Sequence, residues 1–446
     1  MTQIHPEQIL HQAFEEVLNI ADPQRSLPTV LSRIFPNGIK GNLLVVGGGK
    51  ASASMAKAFE QYAAHFWPNA KIYGHVVTRY QHDIPAPHQS RKIKVTQASH
   101  PFPDEAGFLA SKDIMELVDG LNPGDLCVGL ISGGGSSLLA LPAKGVSLES
   151  LTNLSKELLK CGAPIEEINT VRKHVSAIQG GRLAQRAVER GATLQAFIIS
   201  DVTGDQPSDI ASGPCSHDTS TFQDALGVLE KYQLHLQPSL FEITQHLQAG
   251  ILGKIPETLK LGDWHCRNIH NEVFATAKKG LDAAAAFCVE QGYEVHQLGD
   301  QIIGESREVA RSQSDMMRSY LQHSDAKKIA WISGGETTVT IPQGVHGRGG
   351  RCTEFLLALM SASKDIQGMS ALAADTDGID GTENNAGAFF TPSIWRKLER
   401  LSLDMDQYLV AHDAYGFFSQ LDQLVMTGPT LTNVNDFRIV LINRNE

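Results

Sequence analysis

Apolar runs of strand length alternate along this chain with stretches whose apolar residues recur at helical spacing. The strand-length runs fall at 42–46, 72–78, 92–97, 126–131, 194–200, 328–333, 337–341, 370–374 and 437–442. Helical periodicity covers 6–20, 51–64, 107–120, 147–160, 166–188, 222–232, 270–291, 304–322 and 352–362. This alternation predicts an α/β fold, a mostly parallel sheet covered by helices, because parallel strands need crossover connections that lie on the sheet faces. A length of 446 residues exceeds one typical domain and allows two buried cores. The first, doubly wound unit is expected to run to about Leu234. Periodicity weakens over His235–Asp263, which carries Pro238, Gly250, Gly253 and Pro256, so the domain crossing is expected there. The division adopted is 1–240 and 241–446.

Four of the predicted strands run into polar, small-residue turns. Asn42–Val46 leads to Gly47-Gly48-Gly49-Lys50, and Leu126–Ile131 to Ser132-Gly133-Gly134-Gly135-Ser136-Ser137. Ile198-Ile199 leads to Ser200-Asp201, and Ile329–Ile332 to Ser333-Gly334-Gly335-Glu336. Glycines at strand ends let backbone N–H groups approach an anion, hydroxyls add donors, and a following helix adds its positive end. The pattern reads as a phosphate site assembled from several strand ends, as in a nucleotide-using enzyme. Gly47–Ser52 is not a Walker A loop, since G-x-x-x-x-G-K-[ST] would need glycine at Leu44 and Ser or Thr at Ala51. Lys50 still stands at a strand-to-helix turn, where an ammonium can meet a phosphoryl oxygen or simply be solvated. The Ser132–Ser137 turn is an anion cradle or a flexible loop, and the apolar runs on either side pin it to a sheet end. No G-x-G-x-x-G follows a strand, and the acidic residue expected after it is missing, which counts against a dinucleotide ligand.

The net charge of −11 argues against a nucleic-acid or anionic-membrane surface. An anionic substrate would then need a local cluster of cations. Asn169, Arg172, Lys173 and Ser176 follow at three- and four-residue steps, which would put them on one helix face suited to a carboxylate or phosphate, or on an ordinary basic surface. Asp201, Asp205 and Asp209 end a strand where a Mg²⁺ ligand of a phosphotransferase often sits, although Asp also caps helices and opens turns. Asp201 is the preferred one. Asp375-Thr376-Asp377-Gly378-Ile379-Asp380-Gly381 is not an EF-hand, because Asp380 takes the sixth place and Ala386 the twelfth. It remains an acidic turn suited to Mg²⁺, to ligand hydroxyls or to solvent. His346–Arg351 puts Arg351 before a predicted helix, and Thr427–Asp436 is a long polar loop, either a pocket wall or solvated.

Six cysteines without a C-x-x-C pair predict reduced, packed thiols, with neither a zinc site nor a disulfide framework. Met1–Leu18 lacks the basic and apolar regions of a secretory leader, and no apolar run approaches the roughly 20 residues of a membrane span. A cytoplasmic location is expected. Oligomeric state is open, a homodimer included.

Taken in order, Gly47–Lys50, Ser99-His100-Pro101 with Pro103-Asp104, Ser132–Ser137, Asn169–Ser176, Ser200–Asp205, Ser212-Gly213-Pro214, Ser333–Glu336, Gly347–Arg351, Asp375–Gly381 and Thr427–Asp436 resemble the class II glycerate kinases. The C-terminal region of that family is called the MOFRL domain, and the resemblance covers nearly the whole chain. It implies transfer of the γ-phosphoryl of ATP, with Mg²⁺, to the 2-hydroxyl of D-glycerate. It also implies a cleft between a Rossmann-like first domain and a smaller α/β second domain. In that frame Lys50 and Arg351 would hold the transferring phosphoryl, and Asp201 would join them in catalysis. Phosphate and substrate would meet Gly48, Gly49, Ser132, Gly133, Gly134, Gly135, Ser136, Ser137, Asn169, Arg172, Lys173, Glu336, Thr432, Asn433 and Asn435. Mg²⁺ would fall to Asp201, Asp375 and Asp377. One departure is visible: Cys352-Thr353-Glu354-Phe355 replaces the Asn-Gln-Glu-Phe usual in such sequences, removing two amides near the expected site. Relatives also carry the label hydroxypyruvate reductase, and an NAD(P)H reductase or a non-catalytic nucleotide or glycerate sensor are the competing expectations.

Overall fold

The computed structural model describes residues 5–85 and 92–444, so the first residues of the stretch inspected for a leader lie outside it. The chain divides into two compact units, Pro23–Phe274 and a discontinuous one formed by Met1–Asp22 with Ala275–Glu446.

The continuous unit is built on a sheet of β1 (Gly41–Gly48), β2 (Ala70–Arg79), β3 (Ile93–Ala98), β4 (Leu126–Ile131), β5 (Thr193–Ile199) and β6 (Ile269–Ala275). Its spatial order is β3-β2-β1-β4-β5-β6, and the pairs from β3 to β5 are parallel. This is the doubly wound order of Rossmann folds, in which the winding reverses between β1 and β4. The runs Leu43–Val46 and Cys127–Ile131 are almost wholly buried, as strands covered on both faces must be. Leu44 and Val46 pack with Ile114, Val118 and Leu183 from the helices Glu105–Asp119 and Arg182–Glu189. A second core joins Leu154, Ile168, Val171, Phe222 and Leu229 with Leu240, Ile243 and Leu247.

The discontinuous unit carries β7 (Glu294–Gln297), β8 (Ile302–Glu305), β9 (Lys328–Thr338), β10 (Met369–Asp375), β11 (Gly387–Phe390), β12 (Leu424–Val425) and β13 (Asp436–Asn443). They are ordered β12-β11-β10-β13-β9-β7, with β8 beside β9. The sheet is mixed, because β13 runs antiparallel to both β9 and β10 while β7 and β8 run parallel to β9. The helix Arg351–Ala362 supplies Cys352, Phe355, Leu356 and Leu359 to its core.

The compact units depart from the expected boundary at 240/241 at both ends of the chain. The apolar stripe Ile9, Leu10, Ala13, Phe14 and Val17 of helix Pro6–Ala21 is buried in the discontinuous unit, where Phe14 stacks on Phe437 at 5.9 Å. Gly280 leaves room for Val17, whose Cγ1 would lie 2.8 Å from a Cβ there. Residues 241–274 belong instead to the continuous unit. Helix Phe241–Ile251 completes the second core, and β6 adds the sixth strand. Three other expectations change. The helix expected over 166–188 is two, Ile165–His174 and Arg182–Glu189, divided by Gly180 and Gly181 at positive φ. The helix expected from 270 begins at Ala277, after β6. The expected strands 328–333 and 337–341 share one strand that stops at Thr338.

Truncating Phe14 to Ala is expected to cost about 3 kcal/mol or more, as for other buried aromatics, in the unfolding of the discontinuous unit. Urea unfolding followed by β-sheet circular dichroism and limited proteolysis of that unit checks it.

Candidate active site

At the reversal point between β1 and β4 the two strand ends approach without side chains between them. A Cβ on Gly47 would lie 2.0 Å from the Leu130 carbonyl oxygen, and one on Gly49 2.1 Å from Ser132 Oγ. The turns are bonded to each other: Lys50 N–H donates to Gly133 O at 2.8 Å, and Ala51 N–H to Ser132 Oγ at 3.0 Å. Ser132 therefore fixes the entry to helix Ser52–Phe66 as well as the glycine turn. Gly134, at φ +80°, lies under the Lys50 side chain, whose Cγ would be 3.3 Å from a Cβ there. Gly133 lies against Asp201, whose Oδ2 would be 1.7 Å from a Cβ. The fold thus brings Gly48, Gly49, Lys50, Ser132–Ser137 and Asp201 to one end of one sheet.

Behind this loop a short polar relay is held by strained backbone. Ala211 and Ser212 both adopt left-handed φ, at 54° and 56°, a region costing roughly 1 kcal/mol or more per non-glycine residue. Gly180 and Gly181 donate to the Ser212 and Gly213 carbonyls. The turn presents Ser212 Oγ to Ser136 Oγ at 2.8 Å and to Asn169 Oδ1 at 3.0 Å. Asn169 thus reaches the cradle through Ser212.

The neighbouring cations separate into two roles. Lys173 is bonded to Asp218 at 3.3 Å and Asp209 at 3.5 Å, and Arg182 donates to the Lys173 carbonyl at 2.8 Å. Both belong to a buried network, so Lys173 is not an open phosphate cation as expected. Arg172 is only 9% exposed, has no carboxylate partner among the described residues, and is pushed down to about 10 by burial. An uncompensated buried charge costs several kcal/mol. Ser176, expected on the same helix face, lies beyond the helix end, pairs with Pro142 as a bridge and receives the Ile178 and Gln179 amides.

His100 and Arg79 are functional candidates that the sequence reading did not select as site residues. Burial, then Lys50, Arg79, Arg172 and His82, pushes the His100 imidazole down to about 4. The three cationic neighbours Lys50, Arg79 and Arg172 mark a region of positive potential near the cradle despite the acidic chain. Arg79 ends β2, beside β1 in a parallel sheet; that position was the available signal.

In the discontinuous unit Arg351 is gripped by three carboxylates. Its Nε donates to Asp436 at 2.7 Å, Nη1 to Glu336 at 2.6 Å and Nη2 to Asp375 at 2.8 Å. Burial opposes its charge, but Asp436, Asp375 and Glu336 outweigh that and raise its pKa above the ordinary arginine value. Asp436, missed in the sequence although it closes the polar loop ahead of β13, also binds the buried Arg438. Burial and then Asp377 push the Asp375 carboxyl well above the usual range, against Arg351. Asp375 Oδ1 accepts the Asp377 amide, and Asp377 Oδ1 accepts that of Ile379. Asp380 accepts from the Cys352 and Thr353 amides and the Thr353 hydroxyl, capping the helix that Arg351 begins. The two departing residues are thereby explained locally: Cys352 is fully buried in the core and Thr353 is a cap. Of the loop residues, Thr432 donates to Ala21 O at 2.7 Å, Asn433 accepts the Asn435 amide, and the Asn435 carbonyl accepts from Thr376. Among the described residues no group of three or more carboxylate, histidine or thiol side chains forms a ready metal cage. The donor set around Asp375, Asp377 and Glu336 is nevertheless all oxygen with excess negative charge, which suits a hard divalent cation that keeps several waters.

With its pKa lowered, His100 is neutral in the folded protein through pH 5. Its contribution to stability is present above the unfolded value near 6.5 and is lost as pH falls from there towards 4. An imidazole NMR titration is expected to place the His100 midpoint near 4, rising when inorganic phosphate is added.

Comparison with known proteins reaches both units, and its first match includes helix Pro6–Ala21 of the discontinuous one. Residues 7–247 match the family described as a domain of unknown function, DUF4147, and residues 329–436 match the MOFRL family. A protein of Agrobacterium vitis named putative hydroxypyruvate reductase is 42% identical, covering 98% of this chain and 95% of its own. A D-glycerate 2-kinase of Thermotoga maritima is 36% identical, covering 98% and 99%. The crystal structure of a glycerate kinase from Thermotoga maritima superposes with a TM-score of 0.84 at 35% identity, covering 98% of this chain and all of that one. The chain therefore belongs to the DUF4147–MOFRL family, that of the class II glycerate kinases.

Proposed function

We infer that this chain is a glycerate 2-kinase, transferring the γ-phosphoryl of ATP to the 2-hydroxyl of D-glycerate to give 2-phosphoglycerate and ADP. The observation carrying the reading is the side-chain-free cradle where β1 and β4 part, with Lys50 across Gly134 and Asp201 against Gly133. Full-length similarity to a D-glycerate 2-kinase supports the substrate.

Phosphoryl transfer requires positioning and charge neutralisation more than covalent help. Ser132–Ser137 offer amides and hydroxyls to phosphate oxygens, and Lys50 supplies a point charge where charge accumulates. As the glycerate oxygen bonds to phosphorus and the bond from phosphorus to the bridging oxygen of ADP breaks, the 2-hydroxyl proton must leave. Asp201, at the end of β5 beside the cradle, is the carboxylate assigned to receive it. Asp375, Asp377 and Glu336 would hold Mg²⁺, with Asp201 the alternative ligand in the other unit. When bound, that ion supplies charge for phosphate oxygens. Arg351 keeps Asp375, Asp436 and Glu336 aligned.

The reductase reading draws on the name of the Agrobacterium vitis relative and on the Rossmann strand order. Against it, Gly47–Lys50 lacks the dinucleotide spacing, and β2 ends in Arg79, not in the acid that binds a ribose.

Phosphorus NMR of the protein with Mg-ATP and D-glycerate is expected to show 2-phosphoglycerate. A 3-phosphoglycerate signal would keep the kinase and overturn the substrate pose; no product, with hydroxypyruvate-dependent NAD(P)H oxidation, would establish the reductase. Lys50→Ala is expected to lower kcat by about 10²–10³-fold, the usual loss of one charge-stabilising group, with an unchanged melting temperature. Arg351→Ala would release three carboxylates and is expected to destabilise by about 3–5 kcal/mol, so calorimetry must accompany its kinetics.

A further inference from the structure

We propose that Arg172 is the carboxylate-recognition residue of the acceptor site, forming with the Ser136-Ser137 end of the glycine turn a pocket for a small 2-hydroxy acid. The proposal rests on the kinase reading for the identity of that acid. It also names which of three adjacent cations meets the ligand.

The three cations Arg172, Lys173 and Arg182, the first two buried and the third half-buried, are close in sequence but not equivalent. Lys173 has Asp218 and Asp209, and Arg182 has the Lys173 and Gln179 carbonyls, with Glu257 and Asp218 supporting its charge. Arg172 has neither a carboxylate nor a carbonyl partner among the described residues, although it is more than nine-tenths buried. It lines a narrow cleft that opens to solvent, with about 10 Å³ of free space inside, together with Ser136, Ser137, Ser176, Gln179 and Pro103. A guanidinium turned into a pocket without a counter-charge implies that the ligand brings the charge.

The lone guanidinium points to a carboxylate more than to a nucleotide, because one planar fork matches one carboxylate in a bidentate contact. The hydroxyls beside it are already oriented: Ser137 donates to Gly134 O, and Ser136 is held by Ser212. The Lys50 stem lies over Gly134, whose carbonyl accepts from Ser137 Oγ, so the serine wall of the pocket and the lysine at the cradle adjoin the same turn residue. A three-carbon acid could then present its 2-hydroxyl towards Lys50 while its carboxylate stays on Arg172. Size and charge would be read together.

The test compares wild type with Arg172→Met and Arg172→Lys, measuring D-glycerate and ATP affinity by calorimetry and steady-state kinetics, and melting temperature without ligands. Arg172→Met is expected to weaken D-glycerate by about 10²-fold in Kd and KM, as for loss of a charge-assisted bidentate contact. ATP should stay within about threefold, and Arg172→Lys should recover part of the loss. Because the wild-type guanidinium has no carboxylate or carbonyl partner among the described residues, the ligand-free melting temperature of Arg172→Met should equal or exceed that of wild type, the reverse of a structural role. D-glycerate affinity within about threefold of wild type in Arg172→Met would overturn the proposal, as would equal weakening of ATP. Should Arg172→Met fail to fold, undiminished D-glycerate affinity in Arg172→Lys would overturn it equally. A wild type that binds D-glycerate through Arg172 yet forms no phosphoglycerate leaves this subsite standing and removes the kinase reading. A wild type that forms it while Arg172→Met keeps its KM does the opposite.

Discussion

Contact between bare backbones at the ends of β1 and β4 is the constraint on which the rest of the site depends. Gly47 abuts the Leu130 carbonyl, Gly49 abuts Ser132, and Gly133 abuts Asp201. A side chain at Gly47 or Gly49 would force apart the two strands that flank the reversal of winding, and one at Gly133 would displace the Asp201 carboxylate. Because they stay close, the turn amides, Lys50 and the Asp201 carboxylate share a small volume at the carboxyl ends of parallel strands, where open α/β sheets bind ligands. Glycine costs conformational entropy, and the left-handed Ala211-Ser212 pair behind the cradle adds strain. Buried strands on both sides supply the rigidity that holds these unfavourable conformations in place.

Electrostatics follows from the same geometry. The chain carries a net charge of −11, yet His100 lies among Lys50, Arg79, Arg172 and His82. An overall field cannot produce such a region; it takes cations placed by strand ends and one short helix, with nearby carboxylates engaged elsewhere. Asp209 and Asp218 are spent on Lys173, which leaves Arg172 to a ligand. Neutralising one of two adjacent cations internally sharpens the other into a single recognition group.

Legibility in the sequence tracked burial. Leu43–Val46 and Leu126–Ile131 are continuous apolar runs because they are covered on both faces, and they stood out at once. The last strand of that sheet, Ile269–Ala275, carries His270, Asn271 and Glu272 and is largely half-exposed. It therefore blended into the helix after it. Helix Pro23–Ile34 was missed because Pro28 interrupts its pattern. The 166–188 stretch has helical spacing throughout, and only the positive φ of Gly180 and Gly181, invisible as composition, divides it. The boundary erred for a different reason: where helix Pro6–Ala21 docks depends on Phe437, more than 400 residues away. The loop chemistry was legible as residue types, but the pairing was not. Nothing near Lys173 in the chain announces Asp218, and nothing near Arg351 announces Asp436.

The cluster around Arg351 carries this last point furthest. Among the described residues Glu336, Asp375 and Asp436 meet Arg351, Asp436 also meets Arg438, Asp377 lies beside Asp375 and Asp380 beside Asp436. Burial and then Asp377 push the Asp375 carboxyl above the usual range, and Arg351 opposes them. Arg351 then keeps three carboxylates from collapsing onto one another or turning to solvent, through a fork whose three contacts are all 2.6–2.8 Å. Lysine could match the charge but not the geometry, because one ammonium cannot present three donors in a fixed plane. An arginine that the sequence marks as a phosphate ligand is thus committed, in this structure, to ordering the acids around it.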